Sequence, residues 1–355
     1  MVKMPDGTSV PYWNTFYQET YSDNAPHREL MDAEGVPYLG QMDLNIRSGL
    51  VWDFYRNTLK QLKAYGAGIV RLDAFAYAPK APGRKNFLNE PETWDVLERV
   101  KDIASEYGLK LLPEIHATYS EGIYDKVASR GYMTYDFFLP GLLIHAIENH
   151  NPEHLVKWAG EIIDKGIRTV NMLGCHDGIP LLDLKGLLSE DEIAELIELI
   201  VSRGGYVKDL HGRKNMYYQV NATYYSALGE SDKKLLFARA VQLFMPGKPQ
   251  VWYLDLFAGK NDHNAVARAG ENGHKEINRT NLTTEQADKL LKKDVVKEQL
   301  RLLRLRKTHP AFNSNSIITV TQDERRVCFT WKYGTHRISL TADFNDHSYA
   351  IESNA

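Results

Sequence analysis

Three predicted strands that each lead into an acidic residue restrict most strongly how this chain can fold. Each strand is a short, mostly apolar run, and a glycine separates it from the helical pattern before it. The strands and their acids are 69–72 with Asp73, 109–112 with Glu114, and 167–173 with Asp177. Acids that follow parallel strands lie at the same edge of a sheet, so the pattern predicts a cluster of carboxyl groups.

A repeated alternation of helix and strand surrounds these acids. Helices are predicted in residues 51–65, 94–107, 123–127, 155–164, 233–244 and 295–307, and strands in residues 69–72, 109–112, 133–136, 167–173 and 250–253. The alternation predicts an α/β fold with a parallel sheet, and polar loops after the strands favour a (β/α)8 TIM barrel over a doubly wound sheet. No G-x-G-x-x-G motif follows a strand, which argues against dinucleotide binding.

The number of strands does not match a closed barrel. A barrel needs eight strands, whereas five are predicted, and residues 1–40 show no strand–helix rhythm. We expect an incomplete barrel whose first three strands precede this chain; an open sheet is the alternative. Short alternating runs at 316–321, 326–333 and 336–342 predict a small C-terminal β domain. The predicted boundaries are 41–308 for the barrel and 309–355 for the β domain.

Composition indicates an ordinary globular protein. Hydrophobic residues make up 43% of the chain and charged residues 25%, with a net charge of −3. Basic and acidic residues are interleaved, so neither a nucleic-acid nor a membrane partner is expected. Cys175 and Cys328 are far apart and lack a CxxC partner, which predicts no disulfide, no zinc site and a reducing compartment. We therefore expect a cytoplasmic protein.

The three acids suit chemistry on sugars. Retaining glycosyl transfer needs two carboxyl groups about 5–5.5 Å apart, one as nucleophile and one as acid/base. Arg71 lies two residues before Asp73, on the same strand face, where it would hold Asp73 ionised. Glu114 follows an apolar run that could keep it protonated. His176 and Asp177 could bind ring hydroxyls and offset positive charge in the transition state.

Structural explanations compete with each of these assignments. An acid at a strand end more often caps a helix or forms an ion pair, and Arg71 with Asp73 could be such a pair. His116 and His176 are each more often structural, and the paired tyrosines at 217–218 and 224–225 more often pack in a core. Three acids in order, one with an arginine and one with a histidine, are not expected from structural needs alone.

Several motifs resemble the sucrose phosphorylase branch of the α-amylase superfamily, glycoside hydrolase family 13. The tyrosine-rich block and the Ala-Gly-Lys-Asn-Asp block are specific to that branch. The motifs are Arg71-Leu72-Asp73, Pro113-Glu114-Ile115-His116, His176-Asp177-Gly178-Ile179, Tyr218-Gln219-Val220-Asn221-Ala222-Thr223-Tyr224-Tyr225, Ala258-Gly259-Lys260-Asn261-Asp262 and Ile277-Asn278-Arg279.

The resemblance implies a retaining α-glucoside phosphorylase that needs no cofactor and no metal. It implies that a glucosyl unit passes from sucrose or a related glucoside to a nucleophile, Asp73, and then to inorganic phosphate, giving α-glucose 1-phosphate. Glu114 would be the acid/base and Asp177 the transition-state stabiliser. The implied substrate-binding residues are Arg71, His176 and Arg279 on the glucosyl ring, and Tyr77, His116, Tyr218 and Gln219 on the acceptor side.

The resemblance also concerns the boundaries of the chain. It implies that the five strands are strands four to eight of the barrel and that residues 1–40 are a remnant of an inserted domain and its return to the barrel. The family's first three strands are absent, so we expect the isolated chain to be poorly stable and nearly inactive unless an N-terminal piece is supplied.

Alternatives remain open for the activity. An α-glucosidase or transglucosidase of the same superfamily would use the same acids, and an inactive, truncated sugar-binding module would keep only the pocket. Cys175, Pro180 and Met216 replace a threonine, a glycine and an acid usual in the family. Sucrose 6-phosphate, glucosylglycerol and glucosylglycerate therefore stand beside sucrose as donors. A homodimer is an open alternative to a monomer.

Overall fold

Helices and parallel strands alternate through most of the chain. The computed structural model describes residues 2–3, 6–10, 43–80, 84, 87–207, 219–270 and 273–354. The chain divides into two compact units, Met1–Ile115 and His116–Ala355. The fold is α/β with a C-terminal β sheet. No helix in the described ranges is long and apolar enough to cross a membrane.

In its described residues, the first unit contains one parallel strand pair and two long helices. Its elements are β1 (Val2–Lys3), β2 (Ser9–Val10), α1 (Gly49–Ala64), β3 (Ile69–Leu72), α2 (Glu92–Glu106) and β4 (Lys110–Pro113). β1 pairs antiparallel with β2, and β3 pairs parallel with β4. In that register Leu72 lies opposite Pro113, so the acids that follow, Asp73 and Glu114, leave the sheet side by side.

The two central strands of this unit differ in burial. Leu111–Pro113 in β4 are buried, as a core strand requires. The apolar run at 69–72 predicts a buried strand, and this prediction is wrong: in β3 Ile69 is exposed and the other residues are half-buried. Among the described residues β3 pairs with β4 alone, and a strand with one neighbour keeps one edge open to solvent.

The second unit begins with helices and short strands in alternation. Its elements up to the C-terminal sheet are α3 (Ile123–Ser129), β5 (Thr134–Asp136), α4 (Leu139–Glu148), α5 (Glu153–Asp164), β6 (Thr169–Asn171), β7 (Ile179–Pro180), α6 (Glu190–Ser202), β8 (Tyr206–Val207), β9 (Gln219–Asn221), α7 (Tyr224–Ala227), α8 (Asp232–Phe244), β10 (Lys248–Pro249), α9 (Tyr253–Leu256), α10 (His263–Ala269), α11 (Thr284–Leu290) and α12 (Asp294–Thr308). β6 pairs parallel with β5 on one side and with β10 on the other, while β7, β9 and β8 form a small antiparallel sheet.

The strand predicted at 250–253 lies two residues earlier in the structure. Lys248 and Pro249 form β10, opposite Val170 and Asn171, and the chain has already entered α9 at Tyr253. The Pro-Gly-Lys-Pro sequence at 246–249 is typical of a turn, so the sequence pattern predicts that the strand begins only after it. In the structure Lys248 and Pro249 pair with β6, and proline is tolerated in so short a strand at its first or edge positions.

The core of the second unit is built around α4, which the sequence does not predict. Every residue from Leu139 to Ile147 is buried, including Gly141 and His145. A helix that is apolar on all sides shows no 3.6-residue alternation, so periodicity cannot reveal it. Asp136, the last residue of β5, caps the start of this helix with its side chain. Its Oδ1 accepts hydrogen bonds from the backbone N–H groups of Phe138 (3.2 Å) and Leu139 (2.9 Å).

A four-stranded antiparallel sheet ends the chain. Its strands are β11 (Ile317–Asp323), β12 (Arg326–Tyr333), β13 (His336–Asp343) and β14 (Ser348–Asn354), in that order across the sheet. One face buries Phe329, Ile338 and Leu340, and Trp331 donates a hydrogen bond from Nε1 to the Phe244 carbonyl at the end of α8 (2.8 Å). The sequence pattern does not predict the fourth strand. The boundaries 1–40, 41–308 and 309–355 stay predictions, and residues 11–40 lie outside the described part.

We expect Gly247→Ala to destabilise the fold. Gly247 has φ +115°, and a Cβ there would overlap Thr169 Oγ1 and lie 2.8 Å from the Thr169 carbonyl. Strain and overlap should lower the free energy of unfolding by about 2–4 kcal/mol in urea titrations. Gly160→Ala is the matched control, because a Cβ at this position in α5 meets no atom within 4 Å and should be neutral or stabilising. Equal stability of the two variants would show that a Cβ at residue 247 meets neither strain nor overlap.

Candidate active site

Arg71 joins two acids at the end of the β3–β4 pair. Its Nη1 lies 2.5 Å from Asp73 Oδ1 and its Nη2 lies 2.5 Å from Glu114 Oε1. Glu114 Oε2 also accepts a hydrogen bond from the backbone N–H of Ala74 (3.1 Å). Strand alternation brings Arg71 and Asp73 to one face, and the parallel register brings Glu114 beside them. One guanidinium therefore contacts both predicted catalytic carboxyl groups of this unit.

The two acids differ in environment. The Asp73 side chain is 73% exposed, whereas that of Glu114 is 11% exposed. Desolvation and the interaction with Glu114 raise the pKa of Asp73, although Arg71 acts in the opposite direction. The net direction is upward, opposite to the effect that the sequence suggests from Arg71 alone. Two carboxyl groups that share one cation favour a state with a single proton between them.

In the second unit, Asp177 is surrounded by cationic groups. Its Oδ2 lies 3.0 Å from His176 Nε2, and its Oδ1 lies 2.5 Å from Lys275 Nζ and 3.2 Å from Arg279 Nη2. Burial opposes ionisation of Asp177, but the hydrogen bonds from His176 and Lys275 outweigh it and hold its pKa far below the usual range. The hydrogen bond to Asp177, followed by that to Cys175, raises the pKa of His176 to about 10. At neutral pH the pair is an imidazolium and a carboxylate.

Residues from other elements fix the backbone of the turn that carries this pair, residues 174–178. Each backbone carbonyl from 175 to 177 accepts a side-chain hydrogen bond. The donors are Asn278 Nδ2 to the Cys175 carbonyl (2.6 Å), Arg279 Nε to the His176 carbonyl (2.8 Å) and Asn221 Nδ2 to the Asp177 carbonyl (2.5 Å). Arg279 thus holds both the backbone of the turn and its acid.

The residues predicted for the acceptor side lie in different local settings. His116 stacks on Phe137, with ring centroids 3.7 Å apart, and its Nδ1 lies 3.3 Å from the buried Asp183. Gln219 is buried in β9, opposite Pro180. Tyr77, in the first unit, is half-buried against Phe87, and burial raises its pKa. Tyr218 lies outside the described residues.

The predicted site residues fall in two sets, one in each unit. Arg71, Asp73, Tyr77 and Glu114 belong to the first unit. His116, His176, Asp177, Gln219 and Arg279 belong to the second. Within each unit the structure brings an acid together with the basic residue predicted beside it.

A metal ion is poorly suited to the 174–178 turn. Side-chain donor atoms of Cys175, His176 and Asp177 lie within 4.8 Å of one another, which is close enough to hold an ion. However, Lys275 and Arg279 already contact the carboxylate, and His176 is itself cationic at neutral pH. Repulsion from three positive groups disfavours a cation there.

Two contacts of the site residues are not anticipated from sequence. Lys275 binds Asp177, and Asp183 approaches His116. Lys275 precedes Arg279 by four residues, a spacing that places both near one another in a helical turn, and this is the signal that could have revealed it. Asp183 follows a run of three apolar residues, as Glu114 does, but nothing in the sequence links it to His116, which lies 67 residues earlier.

Comparison with known proteins places these motifs in a family. No family model matches the chain. A sucrose 6(F)-phosphate phosphorylase from Ilumatobacter coccineus is 51% identical over 99% of this chain and 67% of its own length. The chain belongs to the sucrose phosphorylase family. It spans about two thirds of this relative's length.

Solved structures agree with membership of this phosphorylase family. The crystal structure of sucrose 6F-phosphate phosphorylase from Thermoanaerobacter thermosaccharolyticum superposes with a TM-score of 0.83 at 36% identity, covering 90% of this chain and 64% of that chain. An α-amylase from H. orenii superposes with a TM-score of 0.56 at 16% identity, covering 87% of this chain and 58% of that one. The second similarity shows the α-amylase fold alone.

We expect His176 to titrate near pH 10 because its hydrogen bond to Asp177 stabilises the charged imidazole. Asp177→Asn should move this pKa towards about 6.5, the value of a free histidine. The measurement is a ¹⁵N-histidine NMR titration in which His176→Gln identifies the resonance. Since the pKa of His176 is raised and that of Asp177 is lowered, the pair stabilises the fold fully between about pH 4 and about pH 6.5, and this contribution is lost as the pH rises through about 10 and as it falls below about 4.

The control for this titration is Asp191→Asn, an exposed position at the start of α6, which should leave the His176 resonance unchanged. A wild-type His176 pKa near 6.5 would show that the His176–Asp177 pair does not form in solution.

Proposed function

We propose that this chain carries the catalytic residues of a retaining α-glucoside phosphorylase. The donor is sucrose 6F-phosphate or sucrose, and the product is α-glucose 1-phosphate. The observation that carries the proposal is the Arg71 bridge between Asp73 and Glu114, which supplies a nucleophile and a proton donor side by side. The substrate class is supported by the activity named for the Ilumatobacter relative and for the Thermoanaerobacter structure.

In the first step an Asp73 carboxylate oxygen attacks the anomeric carbon of the glucosyl unit. The bond from that carbon to the leaving oxygen breaks, and Glu114 gives its proton to this oxygen. The part of the donor that carries the leaving oxygen departs, and the glucosyl unit stays covalently bound to Asp73. In the second step a phosphate oxygen attacks the same carbon, Glu114 takes back a proton from the phosphate, and the Asp73 carboxylate is released.

Exposure supports this division of roles: the Asp73 side chain is 73% exposed and open to a substrate, whereas that of Glu114 is 11% exposed. Desolvation and the neighbouring Glu114 raise the pKa of Asp73 in the free site, so the proposal requires the single proton of the pair to lie on Glu114 when the glucosyl unit is bound. Asp177 is ionised throughout the physiological range and would stabilise positive charge on the glucosyl ring. Arg71, His176 and Arg279 would bind ring hydroxyls.

We assign the acceptor side to Tyr77, His116, Gln219 and Tyr218. The imidazole Nδ1 of His116 lies 3.3 Å from the buried carboxyl group of Asp183, and this contact orients the ring. An imidazole N–H can donate a hydrogen bond to the phosphate dianion that must enter once the first product has left. Tyr77 and Gln219 supply neutral hydrogen-bond donors that suit both a sugar and a phosphate.

We also propose that β3, β4, β5, β6 and β10 are strands four to eight of the barrel. Their parallel pairing in chain order, β3 with β4 and β5 with β6 and β10, supports this numbering. The domain division 1–40, 41–308 and 309–355, a cytoplasmic location and a homodimer are further proposals from the sequence. Sedimentation velocity of the purified chain decides between the dimer and a monomer.

We expect Asp73→Asn to lower the release of glucose 1-phosphate by about 10³-fold or more, since an amide cannot form the covalent intermediate. The assay supplies sucrose 6F-phosphate and phosphate and couples glucose 1-phosphate to an NADPH readout. Asp53→Asn, at an exposed position in α1, is the control and should keep full activity. Undiminished release by Asp73→Asn would exclude Asp73 as the nucleophile.

The donor and the acceptor are tested with the wild-type chain supplied with the N-terminal piece that the resemblance implies. A phosphoryl group on the fructosyl unit should add a charge-assisted hydrogen bond, so kcat/KM should be about 10- to 100-fold higher for sucrose 6F-phosphate than for sucrose. Omission of inorganic phosphate should nearly stop cleavage of the glucoside. Cleavage at full rate without phosphate would identify a hydrolase instead.

A further inference from the structure

We propose that Asp255 is a positioning residue for this reaction, because its buried carboxylate anchors the turn at 174–178 that carries His176 and Asp177. The inference rests on the proposed function above. Asp255 lies in α9 and is 1% exposed, so it does not itself reach a substrate. It acts through the backbone of the turn.

The carboxylate of Asp255 binds two backbone N–H groups from separate segments. Oδ2 accepts a hydrogen bond from Gly174 (3.0 Å), and Oδ1 accepts one from Tyr224 at the start of α7 (3.3 Å). A Cβ at residue 174 would lie 3.0 Å from Oδ2, which is closer than ordinary contacts allow. The absence of a side chain at Gly174 lets the carboxylate approach the turn this closely.

Two long helices hold Asp255 in place from behind. Gln299 in α12 donates from Nε2 to the backbone carbonyls of Asp255 (3.2 Å) and Leu256 (2.9 Å). Its Oε1 accepts a hydrogen bond from Arg239 Nε in α8 (2.9 Å). Arg239 is fully buried, and its positive charge attracts the Asp255 carboxylate. Hydrogen bonds through Asp255 thus connect the turn at 174–178 to α12 and, through Gln299, to α8.

The charge on Asp255 strengthens this anchor. Burial raises the pKa of Asp255 to about 6, while Arg239 and the two backbone donors act to lower it. The titratable groups that interact with it are Arg239 from α8 and Tyr224 from α7. At neutral pH the carboxyl group is mostly ionised and both oxygens accept; a carboxylate is a stronger acceptor than a neutral amide or acid.

Asp136 is a natural comparison for Asp255. It is also fully buried at the end of a strand, burial raises its pKa to about 6, and it binds two backbone N–H groups. Those groups belong to Phe138 and Leu139 at the start of α4 and not to the turn at 174–178. A comparison of variants at the two positions therefore distinguishes the loss of stability caused by removing a buried carboxylate from an effect on the turn at 174–178.

The test replaces each acid in the 355-residue chain, which is supplied with the N-terminal piece for the activity measurements. Asp255→Asn keeps one acceptor and should lower kcat for release of glucose 1-phosphate about 10- to 100-fold, because small displacements of catalytic groups have effects of this size. Asp255→Ala keeps none and should lower kcat further, with the donor KM changing less than kcat. Asp136→Asn should leave kcat within about threefold, because the donors to Asp136 are Phe138, Leu139 and Trp158, which lie outside the turn at 174–178. Wild-type kcat in Asp255→Ala, or an equal loss in Asp136→Asn, would overturn the proposal.

A second readout does not depend on activity. Hydrogen exchange of the peptide 170–178 reports on the Gly174 N–H and should be at least about tenfold faster in Asp255→Ala, but unchanged in Asp136→Asn. If the chain releases no glucose 1-phosphate even when the N-terminal piece is supplied, the proposed function fails, whereas this measurement still decides whether Asp255 anchors the turn. Unchanged exchange would refute the anchor.

Gly174→Ala covers the case in which the Asp255 variants fail to fold. This substitution retains the carboxylate but pushes a methyl group against it, so exchange at 170–178 should accelerate and kcat should fall in the same way. Wild-type exchange and kcat in Gly174→Ala would overturn the proposal independently of the first set.

Discussion

The parallel pairing of β3 with β4 is the constraint on which the acid pair depends. Because Leu72 lies opposite Pro113, the next residue of each strand is an acid, and the two acids leave the sheet at the same level. Arg71 lies two residues before Asp73 on the same strand face, and its guanidinium contacts both acids. A shift of either strand by one residue would turn one acid to the opposite face and separate it from the guanidinium.

The two units treat negative charge in opposite ways. In the first, one arginine serves two carboxyl groups, and the pKa of Asp73 is raised. In the second unit, a histidine, a lysine and an arginine all contact the carboxylate of Asp177, and its pKa is strongly lowered. The first arrangement suits groups that exchange a proton or form a bond during turnover. The second suits an acid that must remain ionised while positive charge develops beside it.

Local signals in the sequence are enough to predict the acids. Glycines and apolar runs define the strands before Asp73 and Glu114, and the spacing of Arg71 fixes its face. Local patterns fail where distant residues decide. β10 begins at Lys248 because β6 offers an edge there, and α4 has no polar face to create a period. Lys275 and Asp255 reach the turn at 174–178 through contacts about 80 to 100 residues apart in sequence, which no local pattern encodes.

The complete burial of α4 has a consequence for how the second unit must form. Residues 139–147 contain no charged side chain other than a buried histidine, so before the unit closes they are an apolar segment with nothing to keep them apart from other chains. Such a segment associates between molecules at high concentration. Refolding yield should therefore depend on protein concentration. In the folded unit α5 supplies Trp158 to the same cluster and so covers the segment from within the molecule.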